Sequence, residues 1–491
     1  MIKSCILNVN LTGRVLLLLG VMFLLPEAGN TAEESEKVFR AGAAMSNITP
    51  PLGEPIVGGW APTPAKHVHD ELHARCLVLD DGETKLVLVL CDNLGIPQKV
   101  YDEAKRIIHE KTEIPVEHMM MAATHTHSSI STYWENRLKP GATFNDYQKF
   151  LISRIADGVQ RALNNLEPAR IGWGRAEEPT SVFNRRWFMQ PEVDLPNPFG
   201  GKDKVRMNPS RGSSDLLKPA GPTDPEIAFF SVQSVDGRPI ALLANYSLHY
   251  VGPGKSDVIS ADYFAVFADR IQQLLGADRL DPPFVGIMSN GTSGNINNIN
   301  FFKAPEPGER AKPYEKMTAV AELVAQKVHE AHQNIEFREW VDLSARQQEL
   351  TLAVRKPSQE LMAYMQSVLN KPEDVKPYHV HEKVYARRLA LLEEAPEEID
   401  VILQAFRIGD LCVCAIPFEV FVEIGLEIKE KSPCEQSFTI SLANGSFGYL
   451  PTPEQHQLGG YETWMGTNTV ELEASEKIVE TLLGMLEEVQ E

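Results

Sequence analysis

Chemistry in this chain is concentrated in Met121-Ala-Ala-Thr-His-Thr-His-Ser-Ser129, where two histidines follow an apolar run. Alternation along an extended backbone puts His125 and His127 on one side, offering two nitrogens to one metal or one substrate. Other apolar runs also end in reactive residues. His249 follows Pro239–Tyr246, Ser293 sits in Asn290-Gly-Thr-Ser-Gly-Asn295, Glu419 follows Leu411–Ile416, and Tyr449 lies in Asn444-Gly-Ser-Phe-Gly-Tyr449. Loops that follow strands are where α/β folds place ligand sites. Two imidazoles, a carboxylate and a phenolate make a donor set that suits a borderline metal such as zinc.

The elements that must position these residues are legible from periodicity. Leu72–Leu79 and Lys85–Cys91 flank Asp80-Asp-Gly82, a hairpin signal. A helix over Lys99–Glu113 and a strand over Glu117–Ala123 follow, so a strand–helix–strand unit delivers the histidines. Asp146–Leu166 has helical spacing, and Ile227–Val232 pairs with Pro239–Tyr246 around Asp236-Gly237. A helix from Ser260 or Asp262 to Leu275 leads to a strand over Pro283–Ser289. Pro313–Gln333 reads as helix and Leu343–Val354 as strand. A hairpin over Val401–Ile408 and Leu411–Ile416 then feeds a helix to Lys431 that starts at Pro417-Phe-Glu419, placing Glu419 in its first turn. A strand over Phe438–Ala443 and a helix over Val470–Glu488 close the chain. The expected fold class is α/β (mixed α+β), a β-sheet core with flanking helices and a site built on strand-end loops. Residues 177–224 lack periodicity and are expected as a covering loop, with Asn184-Arg185-Arg186-Trp187 its most chemical part.

Residues 356–395 read as an inserted pair of charged helices. His379 and His381 repeat the His-x-His spacing there, but i and i+2 do not share a helical face. They are expected as surface residues.

Composition excludes some roles. The formal net charge of −20 in 491 residues disfavours nucleic acid and anionic membrane surfaces. Lys3 and Arg14 precede an apolar run, Val15–Leu25, too short to span a bilayer and followed by Pro26 and small residues. Residues 1–32 therefore read as a cleaved signal peptide and 33–491 as one catalytic domain without a transmembrane span, in a secreted or extracytoplasmic protein. Cys76, Cys91, Cys412 and Cys414 lie in apolar runs and read as small core residues, with a bridge through Cys434 left open.

Taken in order, Thr-His-Thr-His-Ser, Asn-Arg, a strand-end His, Ser-x-Asp-Tyr, a small-residue loop with Ser, Pro-x-Glu, and Gly-Tyr…Thr-Pro-Glu…Tyr-Glu resemble the N-terminal catalytic domain of neutral/alkaline ceramidases. The resemblance spans nearly all of residues 37–491. It implies one zinc ion held by His125, His249, Glu419 and Tyr449. It implies that His127 faces the substrate and donates a proton to the leaving amine, that Arg185 and Tyr461 stabilise the developing oxyanion, and that Ser293 either contacts the substrate near the scissile amide or is the nucleophile. The implied reaction is hydrolysis of an N-acyl bond by zinc-activated water, as in ceramide, on a lipid or small molecule. A metal-dependent esterase or amidase for a non-lipid substrate, and a non-catalytic binding protein of the same fold, are the alternatives. The chain departs from the family at Asn290–Asn295, where an Asp and a Pro are usual, and in ending where an immunoglobulin-like domain is usual.

Overall fold

The computed structural model describes residues 37–308, 312–372 and 374–490. The expected signal peptide lies outside them. Twelve strands form two sheets. The larger comprises β1 (Arg40–Asn47), β2 (His73–Asp80), β3 (Lys85–Cys91), β4 (Met119–Ala123), β5 (Glu167–Glu177), β6 (Glu226–Ser234), β7 (Pro239–Tyr246) and β8 (Val285–Asn290). Its order is β8-β7-β6-β5-β1-β2-β3-β4. The smaller sheet comprises β9 (Leu343–Ala353), β10 (Glu398–Ile408), β11 (Leu411–Ile416) and β12 (Gln436–Ser441), in that order. Helices among the described residues are α1 (Gln98–Thr112), α2 (Asp146–Asn164), α3 (Asp262–Leu274), α4 (Glu315–His332), α5 (Gln359–Leu369), α6 (Glu382–Glu393), α7 (Val422–Lys431), α8 (Pro453–Leu458) and α9 (Ala474–Glu488).

Strand alternation explains the layering. Leu86, Leu88 and Leu90 of β3 face the smaller sheet, where Phe406, Val413 and Phe438 meet them. Val87, Val89 and Cys91 of the same strand face α1 and α2. Further along, Phe229 and Leu242 pack on α3 and α4. The outer face of the smaller sheet carries α7 and α9, with Leu403 and Cys414 packed on Ile428 and Leu482. Two sheets thus lie face to face between two helical layers, and the apolar set of each strand is divided between two cores.

One chain motif recurs three times. A hairpin is followed by a helix and then by a strand parallel to the second hairpin strand: β2-β3-α1-β4, β6-β7-α3-β8 and β10-β11-α7-β12. The parallel pairs β3/β4, β7/β8 and β11/β12 carry the reactive residues just beyond their carboxyl ends. Ala122 pairs with Ala443, so β4 and β12 are tied across the two sheets there.

Three expectations are corrected. Glu419 is not in the first turn of a helix. It lies in a two-residue strand, Glu419–Val420, parallel to Tyr449–Leu450 and in register with Tyr449, and α7 begins at Val422. Cys412 is not a free core thiol but is disulfide-bonded to Cys434, with Cα atoms 6.1 Å apart, while Cys76, Cys91 and Cys414 are free and buried. Residues 177–224 are not a structureless cover. Arg186–Met189, Val205–Met207 and Leu216–Pro219 form a three-stranded sheet around Trp187.

Candidate active site

Each histidine of the cluster is aimed by backbone. His125 adopts a left-handed conformation, φ 74°, uncommon for a non-glycine residue and found where surroundings enforce it. Here its N–H bonds Asn93 O at 2.9 Å and its Nδ1 faces Leu94 O at 2.6 Å, both in the turn after β3. His249 Nδ1 faces Ser293 O at 3.1 Å, in the turn after β8. His127 Nδ1 faces Gly58 O at 3.0 Å, and its ring stacks on Tyr250 at 3.7 Å. Gly58 is at φ +110°, and a Cβ there would meet the His127 ring at 2.8 Å, so only glycine brings its carbonyl this close.

A carbonyl opposite each Nδ1 places the ring proton there and leaves Nε2 as a bare lone pair. Those three lone pairs converge. His125 Nε2 lies 3.0 Å from His249 Nε2 and 3.1 Å from His127 Nε2. Glu419 Oε2 lies 3.3 Å from His125 Nε2 and 3.9 Å from His249 Nε2, buried and without a hydrogen-bond partner. Four acceptors facing one another repel unless a cation sits among them. Donors about 2.0–2.2 Å from a tetrahedral zinc are about 3.3–3.6 Å apart, and the four spacings here, 3.0, 3.1, 3.3 and 3.9 Å, fall on either side of that range. The buried cluster His125, His127 and His249 can therefore hold a metal ion.

Burial drives His249 and His127 well below the usual imidazole range, and the neighbouring His125 and Arg185 add to it. Both rings are neutral at pH 7. Burial would raise Glu419, but positive charge on its His125 side, the Tyr449 hydroxyl and Arg185 together hold it below the usual carboxylate range. Tyr449 reaches the cluster through its pairing with Glu419. Burial drives its phenol up, and Arg185 Nη2 donates to its oxygen at 3.0 Å. The same guanidinium donates to Gly294 O at 2.7 Å and, through Nε, to Glu462 Oε1 at 2.9 Å. Glu462 Oε2 takes Arg186 Nη1 at 2.8 Å. Two buried arginines thus share one fully buried carboxylate, which fixes the Arg185 fork against Tyr449.

The cluster floors a cleft of about 430 Å³ lined by His125, His127, Glu419, Tyr449 and Tyr461, with walls from Tyr133–Leu138, Phe447 and α6. Of the residues expected from sequence, His125, His127, His249, Glu419 and Tyr449 come together. Tyr461 lies at the rim, edge-on to Tyr449 with ring centroids 5.8 Å apart. Arg185 is behind Tyr449 and Ser293 is behind His249, and neither lines the cleft. Ser293 Oγ donates to Asn290 Oδ1 at 2.7 Å, and its 3.3 Å contact to His249 meets a nitrogen already facing a carbonyl. Sequence reasoning missed the anchoring carbonyls of Gly58 and Leu94, which have no side-chain signature. It also gave no role to Glu462, although an acid beside Tyr461 and the Arg185-Arg186 pair were a charge-complementary signal.

Comparison with known proteins identifies the family and the fold. Residues 39–338 match the family model described as neutral/alkaline non-lysosomal ceramidase, N-terminal. The fold is similar to a crystal structure of neutral ceramidase from Pseudomonas aeruginosa, at 18% identity and TM-score 0.66, covering 92% of this chain and 75% of that one. It is also similar to a structure described as ceramidase complexed with C2, at 17% identity and TM-score 0.65 with the same coverage.

Proposed function

This chain belongs to the neutral/alkaline non-lysosomal ceramidase family, and from that premise we propose that it is a zinc-dependent hydrolase of an N-acyl bond, ceramidase-like in its reaction. The convergence of two carbonyl-anchored imidazoles, His125 and His249, on the unpartnered oxygen of Glu419, with the His127 ring beside them, carries the reading. His125, His249, Glu419 and Tyr449 would hold the ion. When bound, zinc polarises a carbonyl and brings the pKa of a water ligand to about 7.

The chain's own groups divide the remaining work. Neutral at pH 7, His127 Nε2 takes a proton from the attacking water and returns it to the leaving amine nitrogen. Tyr461, whose phenol burial keeps protonated, donates to the carbonyl oxygen as charge builds there. Arg185 supplies positive charge to the same region through the Tyr449 hydroxyl. Ser293 is a support for His249 rather than the nucleophile, because its hydroxyl bonds Asn290 and no unengaged base faces it. The Cys412–Cys434 bridge and the signal-like N-terminus support an oxidising, extracytoplasmic location.

The test is metal content with a substrate panel. Purified protein is expected to carry about one zinc and to cleave N-acylsphingosine or shorter N-acyl amines. Preference for simple esters would favour the esterase reading. A metal-free protein that cleaves neither amide nor ester would favour a binding protein of the same fold.

A further inference from the structure

The cleft contains cations that the reaction above does not use. Arg388 of α6 and Arg137 both line it. Arg388 is half-buried, and its Nη1 donates only to neutral oxygens, Tyr385 at 3.3 Å and Thr467 at 3.2 Å. Burial drives the Tyr385 phenol upward, so it carries no balancing charge. Arg137 lies over the Tyr133 ring, 4.0 Å from its centroid. Among the described residues, no carboxylate pairs with either guanidinium. Glu135 also lines the cleft but pairs with neither. Arg388 and Tyr461 line the same cleft, and Tyr461 is edge-on to Tyr449. The Arg388 charge thus shares one cleft with the proposed reaction centre.

A guanidinium fork matches a carboxylate or phosphate, and inside a cleft such a pair is screened less than at an open surface. Leu138, Leu391 and Leu392 give the same cleft an apolar wall. A volume of about 430 Å³ suits one small amphiphile.

We propose that Arg388 and Arg137 form an anion subsite, and that the substrate is an N-acylated amine bearing a carboxylate or phosphate near the amide. This rests on the reading of the site as an N-acyl hydrolase, and it narrows the substrate class.

The test uses the full chain with its metal and three dodecanoyl amides: N-dodecanoylglycine, neutral N-dodecanoylethanolamine and O-phospho-N-dodecanoylethanolamine. Turnover is measured for each, and binding is measured separately by calorimetry. The wild type is expected to favour an anionic amide by tenfold or more in kcat/KM and in Kd, with weakening at high salt. The carboxylate and phosphate arms identify which anion is used. Arg388→Gln is expected to cut that preference at least tenfold, and Arg388→Lys to restore part of it. If Arg388→Gln does not fold, Arg137→Gln at an exposed position is expected to cut the preference several-fold. Equal kcat/KM and Kd for charged and neutral amides, or a preference unchanged in the variants, would overturn the proposal. Tight, arginine-dependent binding without cleavage of any amide would uphold the subsite and overturn the hydrolase reading instead.

Discussion

Two His-x-His pairs share one spacing and have opposite fates. His125 and His127 follow a buried strand, each Nδ1 faces a carbonyl, and their Nε2 atoms lie 3.1 Å apart. His379 and His381 lie just ahead of α6, with ring centroids 5.5 Å apart and tilted by 58°. His381 stacks on the exposed Trp60 at 3.4 Å, and His379 meets Trp464 edge-on. Among the described residues no carbonyl faces either ring, and His379 Nδ1 instead accepts the His381 N–H at 3.2 Å, which spends a lone pair rather than a ring proton. Spacing therefore does not make a site here. What makes one is backbone that occupies the outer nitrogen and burial that removes water from the inner one.

That contrast is broken most severely by His125→Ala or Glu419→Gln. Each is expected to abolish metal binding and lower kcat/KM by about 10³-fold or more, the several kcat-scale kcal/mol that a Lewis acid supplies. Metal analysis and amide hydrolysis check this.

Arg185→Gln comes next. It removes one of two partners from buried Glu462 and the donor from Tyr449. A stability loss near the low end of about 3–5 kcal/mol is expected, because Arg186 still pairs with Glu462. Activity should fall by about 10–100-fold. Denaturant unfolding and kinetics read the two losses separately.

Gly58→Ala sharpens the division between His125 and His127. The added Cβ drives the His127 ring from its place, so kcat is expected to fall about 10–100-fold with zinc retained. Loss of zinc instead would make His127 a ligand.

His332 represents a third kind of histidine, half-buried and away from the cluster. Burial lowers it to about 4, and its Nε2 lies 3.1 Å from Ser231 Oγ. The folded state then binds fewer protons than the unfolded one between about pH 6.5 and 4. Stability from this group is complete above that window and lost as pH falls through it. His332→Gln is expected to reduce the loss between pH 7 and 4.5 by about 1–2 kcal/mol after solvent screening, measured by urea midpoints. The smallest effect is expected for His381→Ala, with metal content unchanged and kcat/KM altered less than about threefold.

Much of this was legible in the sequence where the signal is local. Alternation in Lys85–Cys91, the Asp80–Gly82 turn and the polar residues at strand ends located the elements, while the resemblance to the ceramidase family named the donor set. Non-local partners were not legible. Glu419 read as helical because its pairing with Tyr449 closes a loop of thirty residues that periodicity does not register. Cys412 read as core because its partner follows α7. The anchors Leu94 O and Gly58 O belong to the main chain, which every residue has.

The central claim is that one zinc ion sits among donors gathered from four distant strand ends. Anomalous diffraction at the zinc edge from crystals of the purified protein tests it directly. One peak is expected about 2.0–2.2 Å from His125 Nε2, His249 Nε2, a Glu419 oxygen and the Tyr449 hydroxyl. A fully active protein with no peak there, or with its zinc held elsewhere, would contradict it.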